Sequence, residues 1–203
     1  MDKIVCIGKN YREHAKELGD AVPEKPVLFL KPPSVLGIAN NRLEAKLPTG
    51  VGSIHHECEI VLKLSRGGYR MTEAEAAHAI EAVTLGLDMT LRDRQAVLKK
   101  NGHPWTTAKV FPDSAIAGPW RPLSGLRATP FTFHLDGQCR QTGVASDMSF
   151  SPEQCIAYAS EFFPLCPGDL LFTGTPAGVG EVKPGQTAIL KWGEIEYSVV
   201  WNT

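Results

Sequence analysis

The chain has 203 residues, 43% of them hydrophobic, and a formal net charge of −1. That length suits one domain with a sizeable core, and the balanced charge excludes the basic stripe of a nucleic-acid binder. No apolar run approaches the roughly 20 residues of a membrane span, and MDKIVCIGKNY lacks the apolar core of a signal peptide. Five cysteines, at 6, 58, 139, 155 and 166, form no C-x-x-C pair. They read as reduced, mostly buried thiols of a cytoplasmic protein.

In chain order, KIVCIG and PVLFLKP read as strands, with NYREHAKELGD between them as a short element. The Pro-rich stretch PEKPVLFLKPP marks residues 1–42 as a candidate small lobe carrying a lid. CEIVLKL is the next strand. TEAEAAHAIEAV follows as a helix opened by a Thr72/Glu75 capping box, then VTLGLDMT as a strand. LRDRQAVLKKNG predicts a helix ended by Gly102, and SPEQCIAYASEFF a helix with Ser151 as cap, Pro152 first and Gln154 closing the box. FTFHLDG, DLLFTGTP, TAILKW and EIEYSVVW read as strands, the last two joined at Gly193 as a hairpin. Strands and helices do not alternate regularly. The pattern therefore predicts a β-rich α+β domain over residues 1–203, not a wound parallel sheet.

Chemistry concentrates on the alternation within two of these strands. In HHECEIVLKL, Glu57 and Glu59 fall on one face, with Cys58, Ile60, Leu62 and Leu64 on the other. In VTLGLDMT, Asp88 falls on the less apolar face near the strand's end. An E-x-E pair is also what a solvated strand face looks like. Three carboxylates brought together repel unless a cation lies between them, and an all-oxygen set suits a hard ion such as Mg²⁺ or Mn²⁺. Of His55 and His56, adjacent on a strand, at most one can share the glutamates' face.

His14 and Glu17, three apart, would share one side of a helical turn, as a general base with its orienting carboxylate or as a plain surface pair. Lys109, set among small and apolar residues, is either a buried cation for a developing anion or a snorkelling surface lysine. Arg92 and Gln95 follow Asp88 on a helix and could both reach a ligand there. The turn LFTGTPAGVG offers backbone N–H groups and the Thr175 hydroxyl. GVGEVKPG lacks the G-K-[ST] ending of a phosphate loop, which excludes that form of nucleotide binding.

Six segments in this order, IVCIGKNYREHAKELG, PVLFLKPPS, HHECEIVLKL, LGLDMTLRDRQ, PWTTAKVFPDSA and LLFTGTPAGVG, resemble the fumarylacetoacetate hydrolase family in its short form. That form includes acylpyruvate hydrolases, oxaloacetate decarboxylases and related isomerases. The resemblance spans nearly the whole chain. It implies layered mixed β-sheets, a homodimer and one Mg²⁺ or Mn²⁺ per subunit. By position it makes Glu57, Glu59 and Asp88 the metal ligands and His14–Glu17 a water-activating dyad on a lid. Lys109, Arg92, Gln95 and Thr175 would surround the substrate. The larger members carry an extra N-terminal domain ahead of the first of these motifs, so a ketoacid smaller than fumarylacetoacetate is expected.

The expected activity is metal-dependent C–C hydrolysis of a 3-acylpyruvate-type 2-oxo acid, with oxaloacetate decarboxylation beside it. The second expectation is an isomerase or tautomerase of a hydroxymuconate-like or oxaloacetate-like diacid. The third, of another class, is a non-catalytic ketoacid-binding protein. No nucleic-acid or membrane partner is expected.

Overall fold

The structure is a computed structural model, and it describes residues 1–17, 19, 21, 23–122 and 127–203. In chain order the strands are β1 (Ile4–Gly8), β2 (Val27–Lys31), β3 (Leu36–Ile38), β4 (Arg42–Lys46), β5 (Ile54–His56), β6 (Cys58–Leu64), β7 (Ile80–Asp88), β8 (Thr90–Leu91), β9 (Ala115–Ala117), β10 (Phe131–Leu135), β11 (Gln138–Gly143), β12 (Leu170–Phe172), β13 (Gly180–Glu181), β14 (Thr187–Trp192) and β15 (Ile195–Asn202). The helices are α1 (Arg12–Glu17), α2 (Glu73–Ala79), α3 (Arg92–Lys100), α4 (Thr106–Lys109) and α5 (Pro152–Ser160). The fold is α+β and β-rich, as the sequence predicts.

Seven strands form the central sheet in the order β2-β1-β12-β6-β7-β9-β3. A five-stranded sheet, β11-β10-β14-β15-β4, packs on one of its faces, and β13-β5-β8 form a small third sheet. Alternation decides what each face does. On β6, Cys58, Ile60, Leu62 and Leu64 join the large core, which also takes Phe131, Phe133, Leu190, Trp192 and Trp201 from the five-stranded sheet. Val61 points the other way, into a smaller cluster with Ile4, Cys6, Ala115 and Phe172. Both faces are therefore apolar along much of β6. The carboxylates sit where the second face runs out of hydrophobic cover.

Both expected capping boxes form, at Thr72/Glu75 and Ser151/Gln154. The first of these helices is shorter than expected: it stops at Ala79, and Ile80 opens β7. Ile80–Val83 pair with β6, and β-branched residues gain more from that ladder than from another helical turn. Residues 1–42, the candidate lobe, supply β1, β2 and β3 to the central sheet, and β1 lies between β2 and β12. Cys6, Cys58 and Cys155 are buried, Cys166 is half-buried and Cys139 is exposed; all are free thiols.

Candidate active site

The register of β6 against β7 assembles the carboxylates. Cys58 pairs with Leu87 and Glu59 with Gly86, and the Asp88 amide donates to the Glu57 carbonyl at 2.9 Å. Glu57, Glu59 and Asp88 therefore share one face, as cross-strand neighbours do. Gly86, opposite Glu59, lets its neighbours close in; a Cβ there would lie 2.5 Å from both the Ile116 carbonyl and Val61 Cγ2. The three side chains are buried, and one oxygen from each lies within 4.8 Å of the others. The sequence-predicted triad is thus brought together. His55 and His56 stay out of it: His56 Nδ1 meets Gln141 Oε1 at 2.9 Å and its ring stacks on Phe133.

Glu57 and Asp88 share Lys109 but otherwise meet different partners. Glu57 accepts from Arg92 Nη2 at 2.6 Å, Lys109 Nζ at 2.8 Å and the Thr90 hydroxyl at 3.1 Å. Asp88 Oδ2 accepts from Lys109 Nζ at 2.6 Å, and Lys31 Nζ lies 2.6 Å from Oδ1. Among the described residues, Glu59 Oε2 accepts only a backbone N–H, that of Gly174 at 2.7 Å. The charges follow. Burial alone would raise the Glu57 pKa, yet Lys109 and Arg92 hold it well below the usual range. Burial raises Glu59 strongly, and the Asp88 and Glu57 charges add to that. Burial would lower Lys109, but Asp88 and Glu57 lift it above the ordinary lysine range.

This donor set fits a hard divalent cation. Glu59 resists ionisation because it is buried and two carboxylates already face it, and Asp88 Oδ1 is buried without an aligned hydrogen bond. A cation among the three would relieve both conditions.

The dyad forms on α1. His14 is buried and its Nδ1 lies 3.2 Å from Glu17 Oε2. Glu17 also accepts from the Gly178 amide, at 3.0 and 3.2 Å, so the turn after β12 clamps the dyad carboxylate. Residue 18 of the expected lid segment lies outside the described residues. A small cavity of about 30 Å³ joins the pieces; His14, Glu57, Glu59, Asp88, Arg92 and Lys109 line it, with Phe29 and Trp105 as apolar wall.

Gln95 lines the same cavity and accepts from Arg92 Nη1 at 2.7 Å. Thr175 reaches it too, but its hydroxyl donates to the Cys58 carbonyl at 2.8 Å and accepts from Gln141 Nε2 at 2.7 Å. Two residues escaped the sequence reading. Lys31 is fully buried beside Asp88. Gln141 ties β11 to the Thr175 turn and to His56. A lysine between a strand and two prolines, and a glutamine in the polar run QCRQTG, carry no local mark of burial.

The profile of the family "Fumarylacetoacetate (FAA) hydrolase C-terminal" matches residues 3–199. The chain belongs to this family. The chain is 39% identical over 189 residues to oxaloacetate tautomerase YcgM of Escherichia coli, covering 91% of this chain and 85% of that protein. It is 38% identical over 187 residues to the mitochondrial oxaloacetate decarboxylase of Dictyostelium discoideum, with the same coverage of each. The solved structure of fumarylpyruvate hydrolase from Pseudomonas aeruginosa, in complex with Mn²⁺ and pyruvate, superposes with a TM-score of 0.91 at 34% identity. The match covers 100% of this chain and 91% of that one.

Proposed function

We propose that this member of the family is a divalent-cation-dependent enzyme that takes small 2-oxo acids through an enolate at C3. The observation that carries the reading is one cavity in which three buried carboxylates, Lys109 and His14, backed by Glu17, converge. Bound by Glu57, Glu59 and Asp88, one Mg²⁺ or Mn²⁺ per subunit would supply Lewis-acid polarisation of the keto oxygen.

The chain's own residues do the rest. Arg92 offers a planar fork to the substrate carboxylate, and the Gln95 amide lies within its reach. The Lys109 ammonium stabilises negative charge as it develops on the substrate. Glu17, facing Nδ1, holds the imidazole so that Nε2 of His14 is the free base. That nitrogen takes a proton from C3 in a tautomerisation, or from water in a hydrolysis. Thr175 has committed its hydroxyl proton to Cys58, so it serves the substrate through a lone pair or through the placement of its turn.

Two finer readings share this chemistry. C–C hydrolysis of a 3-acylpyruvate, with oxaloacetate decarboxylation beside it, is supported by the assembled dyad and by the Mn²⁺–pyruvate complex of the Pseudomonas relative. Tautomerisation of an oxaloacetate-like diacid is supported by the Escherichia relative. A pure ketoacid binder has no use for a base clamped beside a cation site. Acetylpyruvate, fumarylpyruvate, oxaloacetate and a hydroxymuconate-type diacid, assayed side by side with mass detection, separate the readings. Hydrolysis adds the mass of water across two products, tautomerisation leaves the mass unchanged, and a binder turns over none. The reading includes a homodimer in the cytoplasm. No helix among the described residues is long and apolar enough to cross a membrane.

A further inference from the structure

Two buried lysines flank Asp88, and they are not equivalent. Lys109 lines the cavity and bridges Glu57 and Asp88. Lys31 does not line it. Its ammonium donates to the Ser114 carbonyl at 2.5 Å and the Met89 carbonyl at 3.2 Å, and it lies 2.6 Å from Asp88 Oδ1. Its side chain has no solvent exposure. Two backbone carbonyls from different segments, one just after β7 and one in the turn before β9, hold it in place. Lys109 is held by the carboxylates themselves, whereas Lys31 is also tied to two backbone carbonyls.

Lys31, Lys109 and Arg92 pair with Glu57 and Asp88. With all three carboxylates ionised, as a bound cation requires, Glu57, Glu59 and Asp88 balance these three cations. A divalent cation therefore enters a site that already has its counter-charges.

We propose that Lys31 is a fixed counter-charge of the metal centre: it makes the empty carboxylate triad tolerable and weakens the triad's own hold on a divalent cation. The inference rests on the cation site proposed above. Two effects of removing Lys31 act in the same direction. Repulsion between its ammonium and the ion a few ångströms away disappears, and in the unloaded state buried Asp88 Oδ1 loses the cation beside it. Both favour the loaded state. Against them stands only the loss of Asp88's orientation, a smaller effect in a buried site. The same balance leaves the loaded site with a positive surplus, which a doubly charged 2-oxo diacid would neutralise better than a monoanion.

The test is calorimetric titration of Mn²⁺ into the metal-free wild type and the near-isosteric Lys31→Met, with melting temperatures before and after loading. Lys31→Met should melt lower when metal-free, bind Mn²⁺ about tenfold or more tightly than wild type, and gain more from loading. Equal or weaker Mn²⁺ binding by a folded Lys31→Met overturns the proposal while leaving the cation site standing. If Lys31→Met does not fold alone, refolding with Mn²⁺ should restore it, because the ion replaces the missing positive charge. Failure of Mn²⁺ to do so counts against the proposal. A wild type that takes up no Mn²⁺ overturns both this inference and the cation site.

Discussion

Asp88 shows how far single residues can be read. Its place on the less apolar face of a strand follows from the alternation Val83, Leu85, Leu87, which is local and visible. Its neighbours do not follow: Lys31 reaches the carbonyls of Met89 and Ser114, 58 and 83 residues away in the chain. Glu57 and Glu59 were legible for the same reason as Asp88, and His14–Glu17 because a helical turn brings i and i+3 together. The dyad carries the residue-scale prediction. His14→Ala should slow hydrolysis of a 3-acylpyruvate by about 10²–10⁴-fold, the usual worth of a positioned base. Metal-assisted decarboxylation of oxaloacetate should suffer less, and the Mn²⁺-induced rise in melting temperature should not change. Glu17→Gln should be milder, since the imidazole remains without its orienting charge. Steady-state kinetics on both substrates checks this, and an intact rate of hydrolysis in His14→Ala would remove the base from its role.

Elements were legible where a pattern spoke for itself and lost where pairing was non-local. β4, the polar segment RLEAK, reads as a loop; parallel pairing with β15 makes it a strand. Ile80–Val83 read as helix until the ladder with β6 takes them. Two junctions between elements make predictions. Gly178 has φ +96°, and a Cβ there would meet the Arg140 carbonyl at 2.0 Å, while its amide clamps Glu17. Gly178→Ala should destabilise the fold by roughly 2–3 kcal/mol and lower kcat beyond that loss, because the dyad carboxylate is released. Urea unfolding and kcat on the folded fraction separate the two effects. Asp169 staples the N-terminus to β12: its carboxylate accepts from the amides of Asp2, Lys3 and Cys166 and from the Lys3 ammonium. Burial would raise its pKa, yet these donors hold it below the usual range. A lowered folded pKa gives stability that is present above about pH 4, the unfolded value, and is lost as pH falls through the folded one. The stability difference between wild type and Asp169→Asn should therefore be largest near neutral pH and shrink below pH 4 in urea titrations. A difference independent of pH would mean the carboxylate charge does not matter there.

The molecule as a whole divides its labour between the two faces of one sheet. One face packs the five-stranded sheet and holds most of the large core. The other carries a smaller apolar cluster that gives way to the carboxylates at the ends of β6 and β7. The outer edges of that sheet, β2 and β3, carry the exposed Leu30 and Ile38. Sedimentation should give about twice the 22.1 kDa chain mass if the chain is the homodimer proposed. The central claim, an enolate at C3 formed with the help of a bound cation, is tested most directly by NMR in D₂O. The measurement follows exchange of the C3 protons of pyruvate with protein and Mg²⁺. Exchange should run well above the buffer rate, stop on addition of chelator, return with fresh Mg²⁺, and be absent in Asp88→Asn. Exchange no faster than in buffer containing Mg²⁺ alone would contradict the account.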